Sequence, residues 1–221
     1  MDKLNCPYFS RCGGCQLLDM TYQEELAYKQ KLAQRHLSRF GRVLPILGAD
    51  RPCHYRNKVE AAFGLDRSRR VISGTYQQGS HRIVNIDHCL NEDEVATSVI
   101  VTIRRLLPDF RLLPYDEDAR TGFLRHVLVR RGAHTGQVMV VLVTATPVFP
   151  SRSNFIKALL REHPQITTIV QNINSRKTSV LLGDREQVLY GPGSIRDILC
   201  GKTFCISPRS FYQINPAQTE V

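Results

Sequence analysis

Three thiols crowd the opening of the chain in CPYFSRCGGCQ, with the spacing Cys6-x5-Cys12-x2-Cys15. Thiolates are soft donors, and Gly13 and Gly14 let the backbone fold tightly enough for neighbouring sulfurs to face one centre. A tetrahedral ion or a cubane asks for a fourth ligand. Cys53, Cys89, Cys200, Cys205 and His88 are the candidates, and Cys89 is favoured because it sits where a strand gives way to a helix. Three readings compete at this point. An iron–sulfur cluster would use Cys6, Cys12, Cys15 and Cys89. Structural zinc would use the same set, although zinc modules tend to bring two paired C-x2-C knuckles and this loop has one. Three unligated thiols in an exposed loop would be prone to oxidation. The C-x3-C-x2-C spacing of a radical-generating cluster is absent.

Several elements must position these residues. In TYQEELAYKQKLAQRHLSRFG, Thr21 and Glu24 have capping-box spacing and Gly41 offers a stop, with Tyr22, Leu26, Ala33, Leu37 and Phe40 on one face. VLPIL, YRNKVEAAFG, VISGTYQ and HRIVNI read as strands, and in the second Val59, Ala61 and Phe63 alternate with more polar neighbours. NEDEVATSVIVTIRRLL predicts a helix capped by Asn91. FLRHVLVRR and QVMVVLVTA flank GAHTG and predict a hairpin. A helix over 151–163 follows, then four more strand candidates in ITTIVQNIN, SVLLG, QVLYG and ILCGKTFCI. In NPAQTEV, Asn215 caps a helix whose first residue is Pro216. Hairpins outnumber βαβ units, so the fold class expected is α+β with a mainly antiparallel sheet and flanking helices.

The formal charge of +10 over 221 residues suits a polyanionic partner, because cations placed on phosphates release counterions. Neither a secretory h-region nor a membrane-length apolar run is present, and seven cysteines do not form a disulfide framework. These features predict a cytoplasmic protein with reduced thiols and no membrane association. The fused strand-like run ILCGKTFCI predicts that Cys200 and Cys205 are buried structural residues.

The cysteine loop with the distant His88-Cys89 pair resembles the RNA (uracil-5-)-methyltransferases, in particular the branch acting on 23S rRNA. HYRNKVE, GFLRHVLVRRG, IVQNIN, LYGPGSI and SPRSFYQINPAQTE resemble that family's successive blocks in order, over essentially the whole chain. The resemblance implies a [4Fe-4S] cluster on Cys6, Cys12, Cys15 and Cys89, S-adenosylmethionine as methyl donor, and ribosomal RNA as partner of a monomeric enzyme. It implies that Gln213 contacts the methyl donor and that Arg56 and Lys58 contact RNA. Phe211 is read as a wall for the flipped target base, which needs a flat apolar surface to replace lost stacking. Arg125, His126, Arg130 and Arg131 would form a second basic edge, and Arg67, Arg69 and Arg70 a loop patch with general electrostatic attraction.

The same resemblance implies a domain over 1–203 that carries the cluster, with 204–221 opening a Rossmann-like methyltransferase domain. The cysteine nucleophile and the base are then expected beyond Val221, so this stretch alone is expected to be inactive. A tRNA-directed enzyme of the same family is the nearest alternative, and a non-catalytic metal-bound RNA-binding module is the alternative from another class.

Overall fold

The computed structural model describes residues 3–177 and 180–221. The chain runs α1 (Tyr22–Leu37), β1 (Lys58–Leu65), β2 (Val71–Tyr76), β3 (Ile83–Asn85), α2 (Glu94–Asp109), β4 (Leu124–Arg131) and β5 (Val138–Thr144). It continues through α3 (Arg152–Glu162), β6 (Ile166–Ile173), β7 (Arg185–Tyr190), β8 (Ile195–Leu199), β9 (Lys202–Ile206) and α4 (Pro216–Thr219). Seven strands form one sheet in the order β3-β2-β1-β4-β5-β6-β7, and β8 pairs with β9 in a separate ribbon. Every pairing is antiparallel except β5 with β6, which α3 connects as a crossover. The expected mainly antiparallel α+β architecture is therefore present.

The middle of the sheet is covered on both faces, which is why VMVVLVT of β5 is buried at every position and lacks a polar side. On one face α2 and α3 lay Val99, Ile103, Leu107, Phe155 and Leu159 over Val127, Val129 and Val140. On the other face Leu128, Met139, Val141 and Val170 meet Ile195 and Ile206 of the ribbon, with Tyr212 packed alongside. Phe155 sits at the centre of an aromatic group, its ring 5.5 Å from Phe110 and 5.4 Å from Phe149.

A buried carboxylate locks the ribbon to the sheet. Asp197 of β8 is fully buried and accepts from the backbone N–H groups of Ala133, His134 and Thr135 in the β4–β5 turn, at 2.9, 3.0 and 3.3 Å. It also accepts from the Tyr212 hydroxyl at 3.0 Å. Burial, then the Asp197 bond, hold the Tyr212 phenol well above its ordinary range, so it stays protonated and donating.

Several expectations change on the structure. The helix-α2 cap is Asp93, whose carboxylate accepts from Ala96 N at 3.0 Å, and not Asn91. VLPIL forms no strand; it runs extended beside α1, where the Gln30 side chain donates to Leu44 O at 3.2 Å and accepts from Ile46 N at 2.7 Å. ILCGKTFCI is not one strand: it holds the end of β8, a turn with Cys200 and Gly201 both at positive φ (49° and 69°), the geometry of a two-residue turn, and the whole of β9. The capping box of Thr21 and Glu24 is present, yet α1 buries no residue, and the expected apolar face leaves Leu37 and Phe40 exposed. The SVLLG run begins at a residue outside those described, and its described part, 180–183, is not a strand.

Candidate functional site

Cys6, Cys12, Cys15 and Cys89 line one cavity of about 260 Å³, together with Arg56 and Lys58. Its walls come from four places: the opening loop, the start of β1, the end of β2 and the turn into α2. The loop reaches the sheet through a bridge between Cys12 and Gln77, and through the Tyr8 hydroxyl, which accepts from Asp87 N at 3.2 Å. On the other side, the chain before β1 is tied to the turn by His54 N and Arg56 N, which donate to Leu90 O and Asn91 O at 2.7 and 3.0 Å. Cys53, Cys200, Cys205 and His88 do not line the cavity.

The electrostatics of the thiols record their proximity. Burial pushes the Cys15 thiol up, and the neighbouring Cys12 adds to it, while a bond from the Asn91 amide at 3.1 Å acts the other way. Burial, then the nearby Glu92, push Cys89 up to about 11. Both are therefore protonated at neutral pH without a bound cation, and loading a metal centre must displace their protons. Among the described residues, no three His, Cys, Asp or Glu side chains are arranged to hold a metal ion. A single zinc ion would need its thiolates to meet at one point. A cubane takes one thiolate at each iron, so its ligands surround a space, and four thiols around a common cavity fit that donor set.

Arg56 and Lys58 project to the same side, as expected from their spacing across Asn57. Lys58 also pairs with Glu60 at 2.7 Å. Asn57 points the other way and is buried. Its N–H donates to Ile214 O and its side-chain amide to Gln213 O, each at 3.1 Å, while its carbonyl accepts from Arg131 N at 2.8 Å. One asparagine thus joins the cation-bearing strand start to the segment carrying Gln213. Along that extended segment Tyr212 turns inward to Asp197, so its neighbours turn out: Phe211 is 86 % exposed and Gln213 is exposed as well. Asn215 caps α4 by accepting from Gln218 N at 3.2 Å, as its position before Pro216 predicts.

The second basic edge expected on β4 does not exist. Arg125 is buried and donates to Asn174 O, Arg176 O and Glu117 at 2.8–2.9 Å. Arg130 is buried and donates to Ser210 O at 2.6 Å, and Arg131 pairs with Asp93 at 2.8 Å. His126 is kept neutral, its imidazole pulled down to about 4 by burial and by Arg125. These cations tie loops to the sheet because β4 is covered on both faces, a fact its alternation does not carry. Cys200 and Cys205 are likewise exposed rather than buried: Cys200 sits in the turn between β8 and β9, and Cys205 lies on the largely exposed strand β9.

Two residues of the site were not assigned to it from sequence. Asn91 is spent on the Cys15 sulfur rather than on a helix cap, and Asn57 links two segments 156 residues apart. A signal existed for the first: an amide two residues after Cys89 falls naturally on a turn beside that thiol.

No protein-family model matches the chain. It is 41% identical over 221 residues to an uncharacterized RNA methyltransferase of Halalkalibacterium halodurans, covering 98% of this chain and 48% of that protein. It is 42% identical over 216 residues to another from Oceanobacillus iheyensis, covering 95% and 47%. The chain thus spans about half the length of the curated relatives it matches. Its fold matches the crystal structure of Pyrococcus abyssi tRNA (uracil-54, C5)-methyltransferase in complex with S-adenosyl-L-homocysteine. That match has a TM-score of 0.76 at 24% identity and covers 95% of this chain and 48% of the solved one.

Proposed function

We propose that this chain is the cluster-bearing, RNA-binding part of an S-adenosylmethionine-dependent RNA (uracil-5-)-methyltransferase acting on 23S rRNA. The class of activity is supported by the RNA methyltransferases that the chain resembles along nearly its whole length. The observation on this chain that carries the reading is the convergence of four thiols with Arg56 and Lys58 on one cavity. In this reading Cys6, Cys12, Cys15 and Cys89 hold a [4Fe-4S] cluster. When bound, that cluster supplies a covalent tie between the opening loop and the sheet, since methyl transfer from a sulfonium donor moves an electron pair and calls for no redox step. Arg56 and Lys58 then meet the RNA backbone, where a guanidinium forks onto phosphate.

Gln213 faces the methyl donor and Phe211 stacks on the flipped uracil, both presented outward by the clamp of Tyr212 on Asp197. C5 of uracil is a weak nucleophile until a thiolate adds at C6. That thiolate is assigned to a cysteine outside this chain, with 204–221 leading into the domain that holds it. The exposure of Cys200 and Cys205 makes this a point to test. Purified chain incubated with methyl-labelled S-adenosylmethionine and 23S rRNA is expected to transfer no label. Label transfer abolished by Cys200→Ser or Cys205→Ser would overturn the assignment.

Action on tRNA is the second reading, favoured by the fold match to a tRNA methyltransferase. Methylation by the whole enzyme of 23S rRNA and of tRNA stripped of its C5 methyl groups separates the two. Iron and sulfide in anaerobically purified chain are expected at four of each per chain for a cubane, and zinc in their place would overturn the cluster.

A further inference from the structure

The opposite end of β1 carries a second concentration of cations. A groove of about 570 Å³ is lined by Arg69, Arg70, Arg104, Arg105 and Arg111, with Leu113 and Val71 among its apolar walls. It lies between the β1–β2 turn and the end of α2. The cysteine cavity lies at the start of β1 and of α2, so the rise of an eight-residue strand separates them by about 23 Å.

Three of the five arginines are answered by carboxylates. Arg70 pairs with Asp66 at 2.9 Å, Arg104 with Asp87, and Arg105 with Glu162. Arg69 and Arg111 are exposed and have no anionic partner among the described residues. Both stand in the left-handed region, at φ 59° and 54°, where an L side chain strains the backbone and glycine or asparagine would relax it. Two strained turns, each holding an unanswered guanidinium at the rim of one groove, point to a ligand rather than to stability.

We propose that this groove is a second docking site for the phosphodiester backbone of the RNA substrate, with Arg69 and Arg111 as its phosphate contacts. The proposal rests on the RNA reading above. The two sites lie more than two Debye lengths apart at 0.1 M salt, where that length is about 10 Å, so their contributions to binding add. Phosphate contacts carry no base information, so the groove strengthens binding equally across RNA sequences.

The test is the salt dependence of binding between the intact chain and a fluorescein-labelled 23S rRNA fragment, read by anisotropy. The Arg69→Asn/Arg111→Asn pair is expected to lower the slope of log K against log salt by about 2, roughly one for each phosphate contact. Its melting temperature is expected to stay level or rise, because asparagine accepts the left-handed turn. An Arg69→Lys/Arg111→Lys pair, which keeps the charge, should hold the wild-type slope. The proposal is overturned if the lysine pair loses as much as the asparagine pair. It is also overturned, with the RNA reading intact, if only Arg56→Gln/Lys58→Gln lowers the slope. Absence of RNA binding by the wild-type chain would remove both.

Discussion

The region before β1 and the sheet that follows it are held by different physics. From Val59 onward the chain buries a continuous apolar core on both faces of the sheet. Before Asn57 no described residue is buried: α1, the cysteine loop and the extended stretch beside them all remain at least partly exposed. Scattered polar bonds fasten this region, among them Gln218 Nε2 to Leu47 O at 3.2 Å and the Asn91 amide to the Cys15 sulfur. A stretch that cannot bury a core is stabilised elsewhere by a metal or a cross-link. On the reading proposed above, the contrast would give the four cysteines a structural task, that of fastening the opening region to the sheet.

The largest expected effect breaks or upholds this contrast. If the proposed cluster is present, Cys89→Ser, or oxidative removal of iron from the wild-type chain, should melt the region before Asn57 while the sheet persists, because binding energy at such sites is folding energy. Limited proteolysis coupled to mass spectrometry would then show cuts confined to that region. Equal protection with and without iron would end the argument. On the other side of the comparison, Phe155→Ala removes the centre of the aromatic group and should cost about 3–5 kcal/mol in urea unfolding. It should leave the iron content unchanged.

His126 sharpens the contrast through pH. Its folded pKa, about 4, lies below the unfolded value of about 6.5, so the unfolded chain takes up the proton first. Stability from this group is full above pH 6.5 and is lost as pH falls toward 4, by roughly 3 kcal/mol in total. His126→Gln should flatten that part of the profile for the sheet transition. The smallest effect belongs to α1: Thr21→Ala removes one half of the capping box and should cost about 1 kcal/mol, seen only in the N-terminal transition.

What the sequence made legible follows the range of the interactions involved. Thr21 and Glu24 bond within one turn, and Asn215 caps the helix that Pro216 opens, so both were readable from neighbours. The β4–β5 hairpin and the crossover helix α3 were readable from periodicity and glycines. Arg125 and Arg130 were not, because their burial depends on segments more than 45 residues away: Asn174 for one, Ser210 for the other. The cap of α2 was misplaced by two residues because Asn91 and Asp93 are both cap-type residues, and the cysteine site takes the first. The turn at Cys200-Gly201 lay hidden in an apolar run, since β8 and β9 are both short, with alternate residues of β8 and only Ile206 of β9 buried. The site fared in the same way: the cysteine spacing marked three thiols, while the amide of Asn57 that links strand to C-terminal segment shows only in space.

The parallel pairing of β5 with β6 has a consequence for biogenesis. A hairpin partner can zip on directly, but β6 reaches β5 only after α3 has formed and crossed over the sheet. As the chain leaves the ribosome, the valine-rich rim of β5 therefore stays uncapped until roughly thirty more residues emerge, an interval in which a second nascent chain could add to that rim.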